Sequence, residues 1–241
     1  MSKKDLMLSA VRRALTGDPA GASQPTDLSA LPPLGQVLPP IDPADLVTRF
    51  EQELVKVAVS PHRVQSRPEI EELLSRILEH DRASGVVLSR NALLDQLKLR
   101  SMLDELGIPS WAWSSDADSA SYRDRCFSAA AGITGVDFAL AESGSLVVSS
   151  ATEGSQLSSL APPIHIAFYL RRQVVESLEE VLDGVAKSTE EPTESIGGRS
   201  IVLITGTSRT ADIEQILIRG VHGPREVHAV LVEESCLAAA D

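Results

Sequence analysis

The sequence predicts an α/β fold: a three-layer α/β/α architecture around a largely parallel sheet, with an antiparallel hairpin inserted into it. Three observations predict this. Short apolar runs, Val86-Val87-Leu88, His165 to Leu170, Ile201 to Ile204 and His228 to Val232, have the length of buried strands and alternate with helical periodicities. Strands separated by helices require crossover connections, which leave successive strands parallel and cover both sheet faces with helices. Between them, Phe138 to Val148 reads FALAESGSLVV, two strand-like runs joined around Ser143-Gly144, the pattern of a hairpin. With 43% hydrophobic but only 3% aromatic residues, packing must rest on Leu, Val, Ile and Ala.

Residues 3 to 16 repeat apolar side chains at Leu6, Met7, Ala10, Val11, Ala14 and Leu15, one face of a helix suited to docking. Gly17 to Pro43 carries Pro19, Pro25, Pro32, Pro33, Pro39, Pro40 and Pro43, and proline's missing N–H blocks helix and central strand. The expected organisation is therefore an N-terminal helix and proline-rich arm over 1–43, then an α/β domain over 44–241. Asp42-Pro43 starts a helix whose buried face is Leu46, Val47, Phe50, Leu54 and Val57. Ser66-Arg67-Pro68-Glu69 has the spacing of a capping box and precedes Ile70, Leu73, Leu74, Ile77 and Leu78. A helix through Leu93, Leu94, Leu97 and Leu106 ends at Gly107. After the strand ending at Leu170 the spacing predicts a helix with Val174, Val175, Leu178, Val181, Leu182 and Val185. Beyond Ile204 it predicts another through Ile213, Ile216 and Leu217, closed by Gly220.

Charge and cysteine content narrow the function. A formal net charge of −12 repels a phosphate backbone, so nucleic acid is not an expected partner. Only two cysteines are present, Cys126 and Cys236, far apart and in no CxxC, so this chain by itself cannot ligate an iron–sulfur cluster or a thiolate zinc. No HxH, HxxxH or HExxH spacing occurs, and no metal site or bound cofactor is expected. The N-terminus has no continuous apolar h-region and no run approaches the roughly 20 apolar residues of a membrane span, so the expectation is a cytoplasmic protein.

Three stretches can carry chemistry. In Gly132-Ile133-Thr134-Gly135-Val136-Asp137 and on to Glu142 and Ser145, close glycines let backbone approach a ligand. Thr134, Gly135 and Asp137 are candidates for substrate contact. Glu142, at the hairpin turn, is either a base or nucleophile or a solvated turn residue. Thr205-Gly206-Thr207-Ser208-Arg209 follows a strand, where N–H groups, hydroxyls and a guanidinium suit a carboxylate or phosphate. Asp212 and Glu214 follow; they either pair with Arg209 and the helix dipole or accept hydrogen bonds from a hydroxylated or amine-bearing ligand. Gly220-Val221-His222-Gly223-Pro224 holds His222 between turn residues, with Gly223 beside it; a turn histidine is either a proton carrier or a hydrogen-bonded structural group. No GxxxxGK[ST], GxGxxG after a strand, or GxSxG is present, which argues against ATP, a Rossmann dinucleotide and serine hydrolysis.

GITGVDFALAESGSLVV together with TGTSRTADIEQILIRGVHGPREVHAVLVE, roughly Gly132 to Glu233, resembles the signature of the LUD-domain family of lactate-utilisation proteins. Ser143 and Ser145 stand where threonine is expected in many relatives, and Thr207 where proline is frequent. The resemblance implies a fold similar to the sugar-phosphate isomerase and CoA-transferase group. It also implies a part in oxidation of L-lactate to pyruvate alongside iron–sulfur partner proteins. Three functions are compatible. The chain is a subunit of such a system that receives a small carboxylate, or a stand-alone enzyme on a small anionic or acyl substrate such as a CoA ester or sugar phosphate. The third is a non-catalytic protein whose N-terminal helix docks a partner or a second copy.

Overall fold

Val86-Val87-Leu88, the run that Gly85 opens, forms an inner strand of a six-stranded parallel sheet. The computed structural model describes residues 40–114, 119–182, 200–211, 217–220 and 222–238, and divides the chain into Met1–Pro40 and Ile41–Asp241, of which the second is described below. The helix expected over 3 to 16, and the proline arm up to Pro39, lie outside the described residues. In chain order the strands of this sheet are β1 (Ser60–Val64), β2 (Val86–Leu88), β3 (Ser110–Ala112), β4 (Ala131–Thr134), β7 (Ile164–Leu170) and β12 (Glu226–Val232). A second sheet holds β5 (Phe138–Leu140), β6 (Ser145–Ser149), β8 (Val174–Val175) and β9 (Ile201–Ile204); β10 (Arg209–Ala211) pairs with β11 (Leu217–Arg219). The helices are α1 (Leu46–Lys56), α2 (Arg67–Ile77), α3 (Ala92–Gln96), α4 (Leu99–Glu105), α5 (Ser119–Ser128), α6 (Ser150–Glu153), α7 (Leu157–Leu160), α8 over residues 178–182, and α9 (Glu234–Ala238).

The large sheet runs β1-β12-β7-β4-β2-β3, every pair parallel. Both faces of a parallel sheet are covered, so its inner strands read as unbroken apolar runs, and all seven residues of β7 are buried. On one face α2, α3, α4 and α9 pack Ile70, Leu73, Leu74, Leu93 and Leu103 against Val86, Leu88, Ile133, Phe168 and Val230. On the other, α1 and the second sheet meet Ala167, Tyr169, Ala229 and Leu231, with Phe50 standing edge-on to Tyr169 at 5.3 Å between centroids. Beside them Tyr122 and Cys126 of α5 and Leu157 of α7 close over Val87. These make the three layers, and the expected hairpin is the β5–β6 pair, joined antiparallel with Phe138 opposite Val147.

Several elements differ from expectation. Neither edge strand was expected: β1 is polar and carries Pro61, tolerated only where no ladder bond is required of it, and β3 is three residues long. The helix expected from Leu93 to Leu106 is two helices, α3 and α4, broken at Lys98, whose φ of 52° is left-handed. Val174 and Val175 form a strand beside β5, and helix resumes only at residue 178. β9 is a strand as expected, but it pairs antiparallel with β6 in the second sheet, Ser149 opposite Ile201. Of the helix expected through Ile213, Ile216 and Leu217, Ile213 and Ile216 lie outside the described residues, while Leu217 is in β11, which pairs antiparallel with β10, Arg209 opposite Arg219. Thr210, Ile216 and Ile218 are β-branched, and a short apolar run fits both periods, so tertiary pairing decides. One helix start shifts, and the other stands at Ser66 as expected but without its full capping box. Asp42 accepts from Ala44 N (2.9 Å) ahead of a helix that begins at Leu46, while Glu69 accepts from Gln65 N (2.9 Å) and the Ser66 hydroxyl (3.0 Å), so the box is not reciprocal. Among the described residues no helix is long and apolar enough to cross a membrane.

Candidate functional site

Strand order sets a topological switch point at the carboxyl edge of the large sheet, between β2 and β4. The chain leaves β2 outward toward β3 but leaves β4 inward toward β7, so the connections diverge between neighbouring strands, where open α/β sheets bind ligands. Ser89-Arg90-Asn91 follows β2 and Gly135-Val136-Asp137 follows β4. The floor between them is filled by Glu153, the last residue of α6, which is 1% exposed. Its Oε2 accepts from the Ser89 hydroxyl and from Gly135 N (3.1 Å), and its Oε1 accepts from the Asn91 amide. Asn91 in turn caps α3 through Leu93 N (2.9 Å), which fixes the direction of its amide. Gly135 has to lack a side chain, because a Cβ there would stand 2.2 Å from Asn91 Cγ.

Among the described residues no cation pairs with Glu153. Burial raises its pKa above the usual carboxylate range; the Ser89 and Asn91 bonds oppose the shift and the Asp137 charge adds to it. Asp137 is raised as well, again by burial, against hydrogen bonds from Thr152 and Ser149. Its Oδ2 is sealed from solvent without a hydrogen-bond partner among the described residues. At the mouth, exposed Arg90 lies over the Trp113 ring (4.9 Å to the centroid) and donates to Ala151 O. An open cleft of about 620 Å³ begins at Gly154 and is bordered by Ser150, Ser155 and Ser200. Thr134, the last residue of β4, is buried with Oγ1 2.8 Å from His165 Nε2. Gly132 serves packing, since Ser158 O occupies its Cβ direction.

The remaining candidates gather at the opposite, amino edge. β6 separates Ser145 from Ser149 by four residue steps, roughly 13 Å at strand rise. At the turn, Ser145 Oγ bonds Ser143 Oγ (2.8 Å) and Thr205 Oγ1 (2.6 Å). Glu142 accepts from Leu178 N (2.8 Å), the start of α8, as a helix cap does. Because β9 runs antiparallel to β6, the loop after it meets the amino edge. There Ser208 N donates to Pro224 O (3.0 Å), Gly220 N to Ser208 O (3.0 Å), and Gly223 sits beside Ser208, while Arg225 N reaches Pro163 O just before β7. His222 is exposed. The Arg209 backbone pairs in β10, and Asp212 and Glu214 lie outside the described residues.

The structure thus brings Thr134, Gly135 and Asp137 together at the carboxyl edge, and Glu142, Ser208, His222 and Gly223 to the amino edge. Sequence reasoning missed Ser89, Arg90, Asn91 and Glu153. The first three carried a legible signal, polar residues directly after a buried strand run; Glu153 carried none, since it is positioned by a loop from another segment. Among the described residues no three His, Cys, Asp or Glu side chains are arranged to hold a metal ion.

The LUD domain model matches residues 47–232. The lactate utilization protein C of Deinococcus radiodurans is 28% identical over 227 residues, covering 94% of this chain and 93% of that protein. That of Bacillus subtilis is 28% identical over 200 residues (79% of each), and that of Halalkalibacterium halodurans 30% identical over 168 residues (68% and 70%). The crystal structure of a DUF162 family protein from Deinococcus radiodurans superposes with a TM-score of 0.57 at 22% identity, over 80% of this chain and 99% of that one, a likeness of fold.

Proposed function

The chain belongs to the LUD domain family, and from that membership we propose that it serves L-lactate utilisation as a subunit that binds a small 2-hydroxy acid and works with iron–sulfur partner proteins. The observation that carries the reading is the convergence of Arg90 and Asn91 after β2 with Gly135 and Asp137 after β4 on one switch point at the carboxyl edge. Arg90 offers a guanidinium fork to the ligand carboxylate at the mouth, held in place by the Trp113 ring. Asp137 lies deeper and takes the ligand hydroxyl. The relatives' names supply the substrate class and process.

The iron–sulfur partners are those that the family resemblance implies, and the cysteines fit them. A cluster needs several thiolates, whereas Cys126 and Cys236 sit in different cores, 0% and 5% exposed. Burial pushes the Cys126 thiol up to about 11 and raises that of Cys236. In this reading electrons taken from the substrate pass to clusters on the partner proteins.

Two measurements test the reading. Deleting the gene in a strain without another lactate dehydrogenase abolishes growth on L-lactate, and undiminished growth overturns the role. Calorimetric titration of the full chain with L-lactate gives saturable binding that Arg90→Ala weakens at least tenfold; equal affinity of the variant overturns the switch point as the site.

A further inference from the structure

We propose that a second binding site lies at the carboxyl edge between β7 and β12, and that it takes a free α-amino acid as its zwitterion, the carboxylate on Arg172 and the ammonium on Glu234. The site is separate from the one proposed above and does not depend on it.

Strand connections open the space. Val64, Val232 and Leu170 end the neighbouring strands β1, β12 and β7 at one level of the ladder. Beyond them the chain divides. β7 continues through a 3₁₀ turn over Arg171–Gln173 to Val174, in the core under α1, whereas β12 continues into α9, whose Cys236 packs in the core under α2. Adjacent strands whose chains depart to opposite faces of the sheet leave a gap above their ends, the place where open α/β sheets take ligands. Here the gap is a cleft of about 500 Å³ based on Leu170 and Val232. Its size falls within the roughly 300–1,000 Å³ of small-molecule sites.

The lining fixes the class of ligand. Arg171 and Glu233 close on each other across the strand gap, Nη2 to Oε1 at 3.0 Å, and neutralise one another. Arg172 and Glu234 each stand one residue further along, line the same cleft and are exposed to it. Neither side chain enters an ion pair or hydrogen bond among the described residues. Ser235, also on the lining, donates its hydroxyl proton to Gln65 O (2.7 Å), which leaves its oxygen lone pairs to accept. The cleft therefore offers one guanidinium fork, one carboxylate and one hydroxyl acceptor. A simple anion would satisfy Arg172 but set like charge against Glu234, and a simple cation would do the reverse. An α-amino acid carries both charges on neighbouring atoms. Its carboxylate suits the two-bond fork of Arg172, and its ammonium donates to Glu234 and to Ser235 Oγ. The end of a peptide carries only one of the two charges and lacks the match.

Thermal denaturation of the full chain with each of the twenty protein L-amino acids tests the proposal, at up to about 20 mM because exposed ion pairs contribute only about 1 kcal/mol apiece. At least one amino acid raises the melting temperature and gives saturable binding by calorimetry. Its N-acetyl derivative and its decarboxylated amine, each keeping a single charge, bind at least tenfold more weakly, and L-lactate at equal concentration does not displace it. Arg172→Ala and Glu234→Gln, both at exposed positions, melt with wild type and lose at least tenfold in affinity. Absence of stabilisation by any amino acid overturns the site. Equal binding of the N-acetyl derivative, or displacement by L-lactate, overturns the zwitterion in favour of a simple carboxylate; these comparisons use wild type alone and so decide whatever the variants do to folding. Unchanged affinity in the two variants places the ligand elsewhere and overturns the assignment to this cleft.

Discussion

Thr134 Oγ1 and His165 Nε2 lie 2.8 Å apart on adjacent strands β4 and β7, beneath a layer that leaves neither exposed. The other ring nitrogen of His165 is buried without a hydrogen-bond partner among the described residues. Burial, and to a smaller extent the His228 charge, lowers the His165 pKa to about 3. His228 is lowered to about 4 by burial, His62 and Arg76, and stacks on His62 with ring nitrogens 3.0 Å apart.

The sign of the resulting pH dependence is fixed. The folded state holds His165 neutral, so its full stability is present above the unfolded value of 6.5 and is lost as pH falls toward about 3. Each such histidine adds one proton to the unfolding slope in that window, about 1.4 kcal/mol per pH unit. Urea unfolding of wild type and His165→Gln between these limits is expected to show a slope smaller by one proton in the variant. Equal slopes would refute the buried neutral imidazole.

Gly132→Ala is expected to be severely destabilising. The added Cβ would lie 1.6 Å from Ser158 O, a backbone atom that cannot swing away, so α7 must lift from β4. An overpacked core position of this kind costs about 3 kcal/mol or more, read as a lower urea midpoint.

Glu142→Ala removes the acceptor for Leu178 N and is expected to cost about 1 kcal/mol, the usual effect of losing a helix cap. L-lactate affinity, measured by calorimetry, should not change, because Glu142 lies at the end of the hairpin remote from Asp137. A tenfold loss of affinity would instead return Glu142 to the binding site.

Cys126 and Cys236 are expected to resist maleimide in the native state at neutral pH and to react fully in denaturant, since both thiols are buried and held protonated. Rapid native labelling of either would contradict the packing described around α5 and α9.

Legibility of the fold tracked burial. Val86 to Leu88, His165 to Leu170 and His228 to Val232 read as strands because both their faces are covered, and FALAESGSLVV read as a hairpin because its turn chemistry is local. β1 was illegible because an edge strand with Pro61 and two polar neighbours has no apolar signature. Leu217, expected in a helix, is instead in a strand, because a short apolar run satisfies either period and its pairing with Ala211 is settled by contact between strands.

What the sequence by itself determined is therefore the layer type, the hairpin and the groups available for chemistry, all of which depend on periodicity, turn residues and composition. What only the tertiary structure decided is which of those groups meet. Glu142 and Asp137 are five residues apart yet end at opposite ends of one hairpin, whereas Glu153 meets Ser89, distant along the chain, because β2 and β4 are neighbours in the sheet. Local pattern encodes the direction a side chain takes from its own element. Strand order, set by burial of the whole core, brings the elements together.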